Sequence, residues 1–220
     1  MAKECVADGI LFDLDGTLIN TIECTEKIYR EYAEIYNVDI EKLLDFSHGI
    51  QTIAVLKKFF PEDFATNESV IEMEDKALKD ASGVHLVPGT LEFLQKIPKS
   101  CWGIVTSGTH IMAKTRMGQM GIEIPKCFFT ADIVPRSKPF PDGYISCAKS
   151  LGFDPKNCVV FEDAPAGVKA GIDAGCFVIG VISSHTEKQL IDSGVSFCIS
   201  SYDQLDVKII DGKIHLSLKN

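Results

Sequence analysis

The sequence contains no apolar run of membrane-spanning length, no Cys-x-x-Cys pair, no basic cluster, no internal repeat and no low-complexity tract. Each absence removes a class of protein. Without a long apolar run there is no candidate transmembrane helix. Without clustered Cys and His there is no zinc-binding pattern. Without a basic face there is no footprint for nucleic acid. The N-terminus lacks the basic-then-apolar pattern of a secretory leader, so the chain reads as cytoplasmic. Its eight cysteines (Cys5, Cys24, Cys101, Cys127, Cys147, Cys158, Cys176 and Cys198) are scattered. Several lie within apolar runs such as Cys158-Val159-Val160-Phe161, where a thiol behaves as a small hydrophobe. That pattern predicts buried free thiols in a reducing compartment. The net charge of −9 is spread along the sequence and speaks for solubility rather than for a partner. No membrane and no nucleic acid are expected as partners, and the default assembly is a monomer.

What is present is a chain of 220 residues, 45% hydrophobic, long enough for one large domain or a core with a smaller insertion. After residue 90 two textures alternate. Short β-rich runs at 102–106, 128–134, 159–162, 177–182 and 197–199 are separated by helical stretches closed by Gly121, Gly152, Gly175 and Gly194. Alternation at this spacing predicts βαβ crossovers and a Rossmann-like, mostly parallel α/β sheet flanked by helices. Residues 9–14 supply a first strand of similar composition. The segment 21–83 differs: apolar residues recur at helical spacing and strand-like alternation is absent. It predicts an all-helical module inserted into a core formed by 1–20 and 84–220. Residues 207–216 alternate around Asp211-Gly212 and predict a terminal hairpin.

Polar residues collect where the predicted strands end. Asp13-Leu14-Asp15-Gly16-Thr17 follows the first, Thr106-Ser107-Gly108 the second, Ser137-Lys138-Pro139 the third and Glu162-Asp163 the fourth. In an open parallel sheet all carboxyl ends emerge along one edge, so these groups can converge. Two acids one residue apart at the end of a buried strand raise each other's pKa and need neutralising. The carboxylates of Asp13, Asp15, Glu162 and Asp163 form an oxygen-rich set suited to Mg2+. The hydroxyls of Thr106 and Ser107, helix-start amides and the Lys138 ammonium suit a phosphate.

These strings, with Glu162-Asp163-Ala164-Pro165-Ala166-Gly167, resemble the four ordered motifs of the haloacid dehalogenase-like hydrolase superfamily, in the subgroup with a helical cap between the first motif and the second. Phe46-Ser47-His48-Gly49-Ile50-Gln51 is further similar to bacterial sugar phosphatases and to fungal 2-deoxyglucose-6-phosphate and glycerol phosphatases. The resemblance implies a Mg2+-dependent phosphatase acting on a small phosphorylated sugar or polyol through an aspartyl-phosphate. Asp13 would be the nucleophile and Asp15 the acid and base. Asp13, the main-chain carbonyl of Asp15, Asp163 and Glu162, direct or through water, would hold the metal. Thr106, Ser107 and Lys138 would hold the phosphoryl oxygens. His48 and Gln51 would dip over the site and read substrate hydroxyls, although Gln51 stands where the fungal pattern has Arg. His110 has no assigned role.

Asp15 favours phosphoester chemistry, because relatives that cleave carbon–halogen bonds generally lack an acid there. A β-phosphoglucomutase is the alternative within the same fold. Such mutases carry a His ten residues after the acid/base Asp, where this chain has Thr25. A phosphometabolite-binding protein on a hydrolase scaffold is the non-enzymatic alternative, and its degenerate relatives typically lose Asp13, Asp15 or Lys138.

Overall fold

The computed structural model describes residues 3–219. The chain opens with strands β1 (Glu4–Ala7), β2 (Gly9–Phe12) and the short β3 (Ile19–Asn20). Helices α1 (Ile22–Tyr36), α2 (Ile40–Ser47), α3 (Thr52–Phe59) and α4 (Asn67–Lys79) follow. Then come β4 (His85–Leu86), α5 (Thr90–Gln95), β5 (Trp102–Val105), α6 (His110–Gln119) and β6 (Cys127–Phe129). The alternation continues through α7 (Asp142–Leu151), β7 (Cys158–Glu162), α8 (Pro165–Asp173), β8 (Phe177–Val181), α9 (Glu187–Asp192) and β9 (Phe197–Ile199). A hairpin of β10 (Leu205–Ile210) and β11 (Lys213–Leu218) ends it.

Six strands form a sheet ordered β6-β5-β2-β7-β8-β9, with every neighbouring pair parallel. This is the α/β architecture that the alternating textures predict. All four residues of β2 are buried, as both faces of a parallel sheet require. Phe12 lies opposite Ile104 of β5 and Phe161 of β7 in register. Its ring stacks on Phe161 at 5.3 Å and meets Phe93 and Trp102 edge-on at 6.1 and 6.0 Å. This aromatic cluster sits directly beneath the residue that ends the strand, Asp13.

Two segments differ from the sequence pattern. The run 128–134 yields only a three-residue strand, because the chain turns after Phe129. Thr130 Oγ1 donates to Asp132 Oδ1 at 2.6 Å, and the Ala131 amide bonds the Gly108 carbonyl at 3.0 Å. A local side-chain bond thus competes successfully with the ladder. At the other end, the terminal hairpin is joined by β1, which pairs antiparallel with β11 to make a three-stranded sheet.

Helices α1–α4 gather their own apolar cluster, including Ile28, Tyr32, Leu43, Val55, Leu56 and Met73. Tyr36 and Phe64 approach within 4.4 Å at its centre. α1 stops at Asn37, which adopts φ 53° and closes the helix through its backbone N–H. The chain leaves and re-enters the sheet region through β3 and β4, which pair antiparallel. All eight cysteines are free thiols, and six are buried. No helix among the described residues is long and apolar enough to cross a membrane.

The β2 aromatic cluster sets a stability expectation. Phe12→Ala should cost about 3–5 kcal/mol, the range for truncating a buried aromatic. Urea denaturation followed by circular dichroism measures it directly.

Candidate active site

The chemistry-bearing residues all leave the sheet at its carboxyl edge. Asp13 and Asp15 follow β2, Thr106 and Ser107 follow β5, and Glu162 and Asp163 close β7, with β2 lying between the other two. Lys138 arrives from the connection between β6 and α7. The chain runs outward from β2 through β5 to β6 and then crosses to β7 on the far side. A sheet whose order reverses in this way opens a crevice at that point.

The Asp13 amide donates to the Phe161 carbonyl at 3.1 Å, extending the β2–β7 ladder by one residue and fixing the direction of its side chain. The Asp13 carboxylate accepts a hydrogen bond from Lys138 Nζ at 2.5 Å. The same ammonium lies 2.6 Å from Glu162 Oε1, so it bridges two buried acids. Glu162 is fully buried and its oxygens are heavily engaged. Oε1 also accepts from the Tyr144 hydroxyl at 2.7 Å, while Oε2 accepts the amides of Asp163 and Ala164 at 3.1 and 3.4 Å. Ala164 is the residue before Pro165, which starts α8, so the positive end of that helix faces the acid pair. Gly167 is required here: a Cβ at that position would lie 1.7 Å from Glu162 Oε1.

Asp163 is held from three directions. Ser184 donates to its Oδ2, Ser183 does so at 3.3 Å, and Thr17 Oγ1 donates to Oδ1 at 3.4 Å. Gly16 adopts φ 86°, and a Cβ there would fall 2.0 Å from Asp163 Oδ2, so a side chain is excluded on both counts. The Asp15 side chain accepts from Thr21 Oγ1 at 3.0 Å and from Thr106 Oγ1 at 3.4 Å. One donor comes from the residue before α1 and the other from the end of β5.

Burial raises the pKa of Asp13 well above the usual carboxylate range; Glu162 and Asp163 push the same way while Lys138 opposes. Burial likewise raises Asp15 and Asp163. For Lys138 burial works against the charge, but attraction to Asp13 and Glu162 outweighs it and the pKa rises. One ammonium among four acids leaves the cluster short of positive charge. Asp13, Glu162 and Asp163 each offer an oxygen, and these oxygens lie within 4.8 Å of one another. A hard, oxygen-only donor set with surplus negative charge fits a divalent cation.

In front of this cluster lies a cavity of about 120 Å³. It has room for about ten waters, taking about 10–15 Å³ for each. Asp13, Asp15, Thr106, Ser107 and Asp163 line its floor, while α1, α3, α4 and the loop bearing His48 line the opposite wall. His48 is at the cavity, its Nε2 3.5 Å from Glu26 and its ring edge-on to His185 at 5.7 Å. Burial lowers the pKa of His48. Gln51 faces away from this cavity and lines a narrow cleft beside Ser107 and Lys138, where its Nε2 donates to the Ala131 carbonyl at 3.1 Å. Ser107 Oγ donates to the Gly49 carbonyl at 2.9 Å, so the two flanks of the cavity are in direct contact. His110 begins α6, exposed, with its ring against Phe128 at 5.2 Å.

Sequence reasoning did not single out Thr21, Tyr144, Ser183, Ser184 or Arg116. Ser183 and Ser184 follow β8 and could have been found by the strand-end rule that found the others. Arg116 left a different trace: it falls at helical spacing with Ala113, Met117 and Met120, a basic residue on an otherwise apolar stripe. It is fully buried, and its guanidinium donates to the Ala77 carbonyl at 2.5 Å and to Cys24 Sγ at 3.2 Å. Ala77 sits in the last turn of α4, where carbonyls lack helical partners. A core helix thereby caps a helix of the 21–83 segment.

Residues 10–181 match the haloacid dehalogenase-like hydrolase family, and the chain belongs to it. Hexitol phosphatase A of Escherichia coli is 36% identical, the alignment covering 90% of this chain and 93% of that one. The 2-deoxyglucose-6-phosphate phosphatase 1 of Saccharomyces cerevisiae is also 36% identical, over 93% and 92% of the two chains. Glycerol-1-phosphate phosphohydrolase 2 of the same yeast is 34% identical, over 91% and 84%. Among solved structures, a β-phosphoglucomutase from Clostridium difficile shares the fold at a TM-score of 0.77 and 22% identity, covering 91% of this chain and 93% of that one.

The raised carboxylates set the sign of a pH effect. A carboxyl whose folded pKa exceeds its unfolded value binds more protons when folded, so it favours the fold most at low pH. For Asp13, Asp15 and Asp163 that contribution fades as pH climbs from about 4 through their raised values. Metal-free protein should therefore gain more thermal stability from an added divalent cation at pH 8 than at pH 5. Calorimetric melts with and without cation at the two pH values check this.

Proposed function

We propose that this protein is a Mg2+-dependent phosphatase that hydrolyses a small phosphorylated sugar or polyol through an aspartyl-phosphate. The observation that carries the reading is the Asp13 carboxylate, buried, ion-paired to Lys138 and facing the same cavity as Asp15. Similarity to hexitol, 2-deoxyglucose-6-phosphate and glycerol-1-phosphate phosphatases supports the substrate class. The division into a core and a cap over residues 21–83 belongs to this reading, as do a cytoplasmic location and a monomeric state.

In this mechanism Asp13 attacks phosphorus and the alkoxide leaves opposite it. A carboxylate is already a competent nucleophile when its proton is lost, and the Lys138 ammonium favours that form. Asp15, whose burial favours the protonated form, donates a proton to the departing oxygen. It then accepts one from the water that attacks the aspartyl-phosphate. Thr21 and Thr106 hold its carboxyl in place for both transfers. Ser107, Thr106 and Lys138 neutralise charge on the phosphoryl oxygens. Asp13, Asp163 and the Asp15 main-chain carbonyl would be the direct protein ligands of Mg2+. Glu162, its oxygens committed to Lys138, Tyr144 and two amides, would orient Lys138 and act on the metal at most through water. The bound cation would offset phosphoryl charge that the lysine alone leaves unbalanced.

Thr25 lines the cavity at the position where the mutases carry His, which favours water over a second sugar hydroxyl as acceptor. With glucose 1-phosphate as substrate, free phosphate rather than an isomerised sugar phosphate is the expected product.

Phosphate release from hexitol, deoxyglucose and glycerol phosphates, with and without Mg2+, tests the proposal. Asp13→Asn should lower kcat by about 10³-fold or more, the scale of losing a covalent nucleophile. EDTA should abolish turnover and Mg2+ should restore it. Retained turnover in Asp13→Asn would remove the aspartyl-phosphate from the scheme.

A further inference from the structure

The cavity has an uneven charge distribution. No Lys or Arg lines it, and the only acidic residue among its lining on the 21–83 side is Glu74 of α4. Glu74 is partly buried and forms no salt bridge among the described residues. Its hydrogen bonds come from Thr109 alone: Oε2 accepts from the hydroxyl at 2.5 Å and Oε1 from the amide at 3.4 Å. Each oxygen thus takes one hydrogen bond, and both come from the residue that caps the start of α6. Burial holds its pKa up, the hydrogen bonds from Thr109 oppose, and the like charges of Asp15 and Asp132 add to the rise.

The surrounding wall offers hydroxyls and apolar surface: Thr25, Thr52, Tyr29, Ile22 and Met73. Each carboxylate oxygen has more than one acceptor position, and Thr109 occupies only part of that capacity. A ligand anchored by its phosphoryl group at Asp13 would thus extend its far end toward a free acceptor, along a wall lined by no Lys or Arg. An alcohol at that end gains a charge-assisted hydrogen bond. A carboxylate or second phosphate there meets like charge in a half-desolvated space, with nothing to pair it.

We infer that Glu74 is a specificity-determining residue that selects a neutral, hydroxyl-bearing leaving group and rejects phosphorylated metabolites carrying a second anionic group. The inference rests on the phosphatase reading above and narrows its substrate class. Rejection of the wrong anion is as much a part of selectivity as attraction of the right alcohol. The division of labour is spatial: Lys138 and the metal site manage one anion at the floor, and Glu74 forbids another at the roof.

The test compares glycerol 3-phosphate with 3-phosphoglycerate, which share a three-carbon skeleton and differ in an alcohol against a carboxylate. The wild-type protein should prefer the alcohol in kcat/KM by at least about tenfold, and Glu74→Gln should erase most of that preference. Glu74→Asp keeps the charge while withdrawing it from Thr109, so it should retain the preference even where overall activity falls. A purely structural tether predicts the reverse pattern: Glu74→Asp the more impaired variant, with an unchanged ratio in both. An unchanged ratio in Glu74→Gln, or a wild-type protein indifferent to the two substrates, overturns the inference and leaves the phosphatase reading standing. Hydrolysis of no phosphorylated polyol or sugar by the wild type overturns that reading and this inference together.

Discussion

Everything at the carboxyl edge of the sheet depends on one buried ammonium shared between two buried carboxylates. Lys138 is 2.5 Å from Asp13 and 2.6 Å from Glu162, and none of the three is more than a few per cent exposed. Desolvating three charges is expensive, and their mutual attraction offsets that cost only when the remaining polar atoms are also satisfied. Here they are. Tyr144 and two amides at the start of α8 complete Glu162, while Gly167 clears the space its carboxylate fills. Glu162 is thus the fixed point, Lys138 is positioned by it, and the direction of Asp13 follows from both. The arrangement fixes a defined charge geometry at the cavity floor.

The parallel sheet makes that geometry possible. β2 is flanked by β5 and β7, so the three strand ends that carry Asp13, Thr106 and Glu162 emerge side by side. Below them the rings of Phe12, Phe161, Phe93 and Trp102 pack within about 6 Å of Phe12, a rigid base for the loops above. The loop after β2 then folds back on itself, the Gly16 amide bonding the Ile19 carbonyl at 2.7 Å. This tight return presents Asp13 and Asp15 from one short segment and leads straight into β3 and α1.

Much of this was legible in the sequence, for identifiable reasons. The alternation of apolar runs with Gly-closed helical stretches specified a parallel sheet, and the strand-end rule found Asp13, Asp15, Thr106, Ser107, Glu162 and Asp163. Those signals are local and periodic. What escaped was set by tertiary contact. Tyr144 reads as an ordinary core residue of a helix, and only the fold brings its hydroxyl to Glu162. Arg116 was not singled out from the sequence, and only the fold encloses it where α6 meets α1 and α4. Gln51, read from its motif as a ligand contact, gives one of its two amide N–H groups to the Ala131 carbonyl. That carbonyl lies in the turn that cut short the expected 128–134 strand, so both departures share one origin, the Thr130–Asp132 bond.

The side chain of Asp15 joins the two halves of the structure. Its two donors come from opposite flanks of the cavity: Thr106 is fixed to the sheet, and Thr21 begins the helical segment. Thr21 lies between β3 and α1, so this bond ties the start of that segment to Asp15. The contacts that seat the segment, Arg116 on Ala77, Ser107 on Gly49 and Glu74 on Thr109, therefore bear on the proton-transfer group as well as on the cavity wall. With the segment seated, Asp15 is doubly held, water is confined and the wall bearing Glu74 faces the floor bearing Asp13. In the proposed reaction, proton transfer and recognition of the leaving group thus draw on the same seated arrangement.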